Sequence, residues 1–252
     1  MKHLPNILTL GNLFCGCIAI SFIIGAQNFT TSFDINTYVE VPAVEQPYIG
    51  SLFIFLAAVL DMLDGAAARA LKIHSPIGKD LDSLADVVSF GVAPAMILFK
   101  MLWAAYMAIP EAMDTNLLLT APAFLIACFA ALRLAKFNQS SDEQKNYFIG
   151  MPTPAVGLFV ATFPLMQWQN PLFIWFYKPW LLYAVIALLC WLMVSNIRFF
   201  KLLPEKWNMK NVSPRILLIA GSAAAIPLLG WGASLVAMGL YLVLSVMFKP
   251  QS

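Results

Sequence analysis

The sequence predicts an all-α, polytopic integral-membrane helical bundle of about eight transmembrane helices, with both termini in the cytoplasm. Three observations predict it. Of 252 residues, 61% are hydrophobic and 11% charged, against roughly 45–50% and about 25% in an average soluble domain. Eight apolar segments approach the ~20 residues that a helix needs to cross a bilayer. Lys and Arg recur on alternate connections between them, the pattern that marks cytoplasmic loops. This composition excludes a soluble globular enzyme, a disordered chain and a disulfide scaffold. The net charge of +2, from 15 Lys and Arg against 13 Asp and Glu, is too small and too scattered for a nucleic-acid surface.

The segments cover residues 5–26, 48–72, 81–109, 116–137, 154–168, 173–198, 215–229 and 231–248. The first follows Met1-Lys2-His3 but no small-x-small cleavage site follows it, so it reads as a retained helix rather than a signal peptide. Residues 27–47 make the longest outer connection, polar and without a clear period; its sequon, Asn28-Phe29-Thr30, reads as a chance match. The fifth and seventh segments are short enough to tilt or hug the interface. Gly230 leaves almost no connection between the last two, which predicts a tight helical hairpin. The inner connections hold Lys2; Arg69, Lys72 and Lys79; Arg133, Lys136 and Lys145; Arg198, Lys201, Lys206, Lys210 and Arg215; and Lys249. Only Lys100 and Lys178 fall elsewhere, and the outer connections carry Asp34, Glu40, Glu45, Glu111 and Asp114. No repeat or linker divides the chain, so residues 1–252 read as one domain, with the last two helices, about 215–248, as accessory. Cys15, Cys17, Cys128 and Cys190 lie in apolar runs and read as buried free thiols, since Cys15-x-Cys17 lacks the partners of a zinc site.

Chemistry concentrates where a membrane span should avoid it. The second and third segments contain Asp61-Met62-Leu63-Asp64-Gly65 and Asp82-Ser83-Leu84-Ala85-Asp86. A carboxylate at mid-bilayer costs about 2.5–3.5 kcal/mol on insertion scales, so four need a compensating partner. Asp61 and Asp64 stand about 60° apart around a helix, and Asp82 and Asp86 about 40° apart, so each pair faces one way. The short connection, with Pro76 and Gly78 as breakers, predicts antiparallel neighbouring helices whose acids meet at similar depth in the cytoplasmic part of the membrane. Four converging carboxylates call for a divalent cation, or two. All-oxygen ligands favour Mg²⁺ or Mn²⁺, and a two-metal site can clamp the attacking and leaving oxygens of a displacement at phosphorus. Gly65, Ala66, Ala67 and Ala68 remove bulk beside the acids, either for close helix packing or to make room for a ligand. His3 and His74 are the only histidines; His74, between the acid pairs, reads as a solvated loop residue.

The spacing D-x2-D-G-x2-A-R-x8-G-x3-D-x3-D, carried by Asp61, Asp64, Gly65, Ala68, Arg69, Gly78, Asp82 and Asp86, resembles the signature of the CDP-alcohol phosphatidyltransferases at every fixed position. Further stretches, among them residues 4–12, 81–94, 133–138, 150–154 and 192–198, resemble the branch of that family that makes phosphatidylserine, with Thr153 where many relatives carry serine. The resemblance implies transfer of a phosphatidyl group from CDP-diacylglycerol to an alcohol, here L-serine, with release of CMP. It implies that Asp61, Asp64, Asp82 and Asp86 surround the metals and that Asp86 is also the general base for the acceptor hydroxyl. It puts Asn6, Thr9 and Asn12 against the cytidine diphosphate, where the bland reading is capping and interhelical hydrogen bonding. Gly65 and Ala68 would leave room for the nucleotide, and Gly78 would shape the connection between the acid pairs. Arg69 would clamp phosphate; anchoring, or pairing with Asp61 or Asp64, is its alternative. Arg133 and Lys136 would hold the serine carboxylate or a lipid phosphate, and otherwise read as interface anchors. The resemblance also implies a homodimer, and a bacterial inner membrane with the site facing the cytoplasm. The alternatives are the same chemistry with glycerol 3-phosphate or an inositol phosphate as acceptor, and an ion-coupled transporter, since intramembrane acids also mark ion pathways.

Overall fold

Long apolar runs punctuated by proline and glycine set the element boundaries. The computed structural model describes residues 4–25, 29–34, 37–41, 45–71, 76–107, 116–140, 147–170, 173, 176–200 and 209–248. Helix α1 is Leu4–Gly25 and α2 is Glu45–Leu71, with strands β1 (Phe29–Asp34) and β2 (Thr37–Val41) between them. Helix α3 (Pro76–Asp86) runs through a π-helical stretch, Val87–Val92, into α4 (Ala93–Met107). A 3₁₀ stretch, Leu117–Phe124, opens α5 (Leu125–Ser140). Strand β3 (Tyr147–Ile149), α6 (Thr153–Gln169), α7 (Pro179–Val194) and β4 (Arg198–Phe200) follow. The chain closes with α8 (Met209–Leu229) and α9 (Ala233–Met247), joined by the turn Gly230–Gly232.

Prolines open several of these helices, since a missing N–H costs nothing in the first turn; Pro76 and Pro179 do so, and Pro154 stands at the start of α6. Pro122 has no N–H to give an α-helical bond, and the tighter 3₁₀ coil precedes α5, capped by the Asn116 side chain accepting from the Leu118 N–H at 2.9 Å. Gly230, at φ 54°, makes the turn that folds α9 back on α8, so that Gly221 faces Leu240. The expected hairpin is therefore present.

Among the described residues, five stretches are long and apolar enough to cross a membrane: Leu4–Gly25, Tyr48–Leu71, Ile77–Met107, Leu117–Gln139 and Ser213–Met247, the last taking in most of α8 and all of α9. Helices α6 and α7, at 17 and 16 residues, fall short of that length. The chain is an all-α membrane protein in its main architecture. Two pieces depart from that. The connection at 29–41 carries the antiparallel pair β1–β2, and β3 pairs antiparallel with β4, Tyr147 opposite Phe200 and Ile149 opposite Arg198. In the sixth expected segment, 173–198, the α-helix among the described residues is Pro179–Val194, and the far end belongs to β4.

The core gathers Ala19, Ile54, Phe90, Leu98, Ile126, Val160 and Ile186 from seven elements. Glycines let backbones meet there. A Cβ at Gly50 would lie 2.9 Å from the Ala19 carbonyl oxygen, at Gly16 2.9 Å from Ser89 Cα, and at Gly157 2.9 Å from Phe90 Cα. Gly91 abuts Ala130 and Ala127. The π-helical stretch is thus gripped by α1, α5 and α6, immediately after Asp86.

Candidate active site

Helices α1, α2 and α3 build the acidic centre at one end of the bundle. Helices α2 and α3 each pack on α1 and are not packed along one another. Their backbones stay apart, and their carboxylates bridge the space that α1 backs. One carboxylate oxygen from each of Asp61, Asp64 and Asp82 lies within 4.8 Å of the others. Asp86 is buried and close enough to interact electrostatically with Asp61, Asp82 and Asp64.

α1 holds two of the acids by hydrogen bonds. The Thr9 hydroxyl lies 2.7 Å from Asp64 Oδ2, with the Pro5 carbonyl at 3.0 Å as its other acceptor. Asn12 Nδ2 donates to Asp86 Oδ1 at 3.2 Å. Asn12 is fully buried and its Oδ1 has no partner among the described residues. Spacing three puts Thr9 and Asn12 on one face of an otherwise apolar helix, and that face turns to the acids. Asn6, half-buried one turn earlier, makes no hydrogen bond to them.

Hard divalent cations fit this donor set. The ligands are all carboxylate oxygen, and Asp82 Oδ1 is buried without a hydrogen-bond partner among the described residues. A buried lone carboxylate oxygen is costly unless something positive meets it. The space beside it is also open. A Cβ added at Gly65 would meet only Arg69 Nη1, at 3.5 Å, an ordinary contact. Close helix packing therefore does not account for glycine there, unlike Gly16 and Gly157; open space against the backbone does. Ala68 is half-buried one turn on. Arg69 is exposed and forms no ion pair with Asp61 or Asp64, which leaves its guanidinium available beside Gly65. Gly78 lies inside the first turn of α3 rather than in a connection. His3 and His74 lie outside the described residues.

A second set of residues lies next to Asp86. Arg133 of α5 is 6% exposed and within electrostatic reach of Asp86. Its guanidinium lies over Phe137 and Phe148, at 5.2 and 5.6 Å from their ring centres, with Nη1 3.5 Å from Thr153 Oγ1. Arg133 and Lys136 line a cavity of about 320 Å³ with Phe137, Gln139, Ile149 and Ser195. The end of α5 is tied to α3: Asn138 Nδ2 donates to Ser83 Oγ at 2.7 Å, and Lys79 Nζ donates to the Asn138 carbonyl at 2.9 Å. Ser83 is therefore a packing hydroxyl, and Ser89, bonded to the Ala85 carbonyl at 2.9 Å, is another.

A family model described as CDP-alcohol phosphatidyltransferase matches residues 2–194. The chain belongs to this family. It is thus a phosphotransferase, and family membership does not favour the transporter. A CDP-diacylglycerol–serine O-phosphatidyltransferase of Helicobacter pylori is 31% identical over 244 residues, 96% of this chain and 89% of the relative. One of Bacillus subtilis is 32% identical over 205 residues, 79% of this chain and 90% of the relative. One of Methanocaldococcus jannaschii is 35% identical over 149 residues, 59% and 62% respectively. The family match takes in the acids, α1 and Arg133, and ends with α7.

Gln139 and Ser195 at the cavity, the π-helical stretch, and Tyr241 of α9 went unread in the sequence. A tyrosine inside an apolar span was the available signal for Tyr241, since its hydroxyl needs a partner.

Proposed function

We propose that the chain transfers the phosphatidyl group of CDP-diacylglycerol to L-serine and releases CMP. The convergence of Asp61, Asp64 and Asp82 beside Asp86, in a member of this family, carries the reading. The serine acceptor rests on the names of the relatives aligned over most of the chain.

Asp61, Asp64, Asp82 and Asp86 would hold Mg²⁺ or Mn²⁺, as two ions, which when bound would supply positive charge to the pyrophosphate and the departing CMP. Thr9 fixes Asp64, and Asn12 fixes one oxygen of Asp86. That leaves the second oxygen of Asp86 to take the proton from the serine hydroxyl as it attacks the β-phosphorus, the one bearing diacylglycerol. The bond from phosphorus to the bridging oxygen breaks, and CMP leaves with the electron pair. Gly65 and Ala68 would admit the nucleotide against α2, and Asn6 would border it. Arg69, in open space beside Gly65, would hold phosphate oxygens by its planar fork. Arg133 and Lys136 would take the serine carboxylate in the cavity that they line.

The membrane arrangement belongs to the same reading: eight spans, both termini and the acids on the cytoplasmic side of a bacterial inner membrane, and a homodimer. The distribution of Lys and Arg supports it. A topology reporter fused to either terminus should register as cytoplasmic; a periplasmic signal from either would contradict this arrangement.

The chemistry is tested by CMP release from CDP-diacylglycerol by purified protein with Mn²⁺, offered L-serine, glycerol 3-phosphate, inositol phosphate or no acceptor. Release should require serine and fall by at least about 10²-fold in Asp86→Asn. Release with a phosphorylated acceptor instead would overturn the serine assignment, and undiminished release from Asp86→Asn would overturn the base.

A further inference from the structure

The α8–α9 hairpin lies beyond the family match, which ends at residue 194, yet it is docked at its turn and along α9. At the turn, Gln169 Oε1 of α6 accepts the Trp231 N–H at 2.7 Å, and Trp231 packs on Phe55, ring centres 6.0 Å apart. Just past the turn, the Thr162 and Ser234 hydroxyls are 2.8 Å apart. Two turns further along α9, Tyr241 is buried against β4. Its hydroxyl donates to the Phe200 carbonyl at 3.1 Å, and its ring lies 5.3 Å from that of Phe199 and 5.1 Å, edge-on, from that of Phe200.

β4 is the wall behind Arg133. Phe199 pairs across the strands with Phe148, whose ring lies under the Arg133 guanidinium, and Arg198 pairs with Ile149, which lines the Arg133 cavity. The Tyr241 hydroxyl also sits within electrostatic reach of the Arg133 and Arg215 guanidinium groups. Arg215 in turn lies over the Phe200 ring, at 5.6 Å. Tyr241 is therefore linked to Arg133 through the β4–β3 pair, by way of its hydrogen bond to the Phe200 carbonyl. Arg133 is almost fully buried, and a buried guanidinium is held where its acceptors and aromatic faces put it.

We propose that Tyr241 is a positioning residue for Arg133: the C-terminal hairpin, through the Tyr241 hydroxyl and the strand it braces, sets the guanidinium that receives the carboxylate of the acceptor. This rests on the reading of the Arg133 cavity as the acceptor site. The hairpin is then a working part of that site rather than an accessory pair of spans. The nucleotide side, built from α1 and α2, makes no use of Tyr241.

The test is Tyr241→Phe, which keeps the ring contacts and removes only the hydroxyl, assayed for metal-dependent CMP release with both substrates varied. The KM for the acceptor should rise about three- to tenfold, the weight of one ordinary hydrogen bond, while the KM for CDP-diacylglycerol stays within about twofold. Combined with Arg133→Lys, Tyr241→Phe should add little further loss, because the group it positions is already gone. Equal rises for both substrates, an unchanged acceptor KM, or full additivity with Arg133→Lys would overturn the proposal. The wild-type protein in the same assay separates the two readings. Serine-dependent release by wild type with any of those three outcomes sinks the role of Tyr241 alone. Wild-type release that ignores serine sinks the acceptor reading, and the Tyr241 role as stated falls with it.

Discussion

At the residue scale the acids were legible and their partners were not. Asp61, Asp64, Asp82 and Asp86 stand at helical spacings in apolar runs, where a carboxylate is too costly to be incidental. Local sequence therefore sufficed to single them out. The Thr9–Asp64 and Asn12–Asp86 bonds join residues 55 and 74 apart in sequence, and no local pattern reports such pairings. The polar face of α1 was visible, but what it faced was not. Gly65 gives a test at this scale, because its neighbourhood separates packing from binding. An added methyl meets only Arg69 Nη1 at 3.5 Å. Gly65→Ala should leave the fold intact and, by helix propensity, stabilise it by about 0.5–1 kcal/mol. It should nevertheless raise the KM for CDP-diacylglycerol, since the methyl fills space read as the nucleotide's. Thermal unfolding and a substrate titration on the same preparation would decide; loss of stability with normal KM would return Gly65 to a packing role.

At the element scale the helices were read from hydrophobic length, and their irregularities escaped. The π-helical stretch Val87–Val92 leaves no periodic trace in six residues, Val-Val-Ser-Phe-Gly-Val, and depends on contacts with three other helices. β3 and β4 are three residues each and pair across the sequence, so they too were invisible. β1 and β2 were closer to legible: the aromatic and β-branched content of Phe29-Thr30-Thr31-Ser32-Phe33 and Thr37-Tyr38-Val39 was the signal available. π-helical turns recur at functional sites, and this one follows Asp86 directly. A Cβ at Gly157 would press 2.9 Å from Phe90 Cα in this stretch. Gly157→Ala should therefore destabilise, with overpacking of about 1–3 kcal/mol outweighing the roughly 0.5–1 kcal/mol helix gain. A melting temperature at or above wild type would mean that the stretch yields to α6 rather than being held by it.

At the scale of the whole molecule, composition and the run of apolar segments gave the class. The structure bears out an all-α membrane protein, with five stretches among the described residues long and apolar enough to span. What composition could not give is how far the acidic centre depends on distant chain. α1 backs both acid helices, α5 brings Arg133 to Asp86, and α9 reaches β4 behind it. The site is thus shared by the N-terminal helix, the signature helices and the C-terminal hairpin. Its charge is what makes it a metal centre in this account. Three carboxylates within 4.8 Å, one with a buried oxygen left unbonded, would hold together poorly without a cation.

The most direct measurement is CMP release from CDP-diacylglycerol and L-serine as Mn²⁺ is titrated into chelator-stripped protein, with Asp82→Asn alongside. Release should be absent without metal, rise to saturation as Mn²⁺ is added, and require far more Mn²⁺ or stay absent in Asp82→Asn. Serine-dependent release that persists through chelation, or a metal titration unchanged by Asp82→Asn, would contradict the assignment of the aspartate cluster as the metal centre of phosphatidyl transfer.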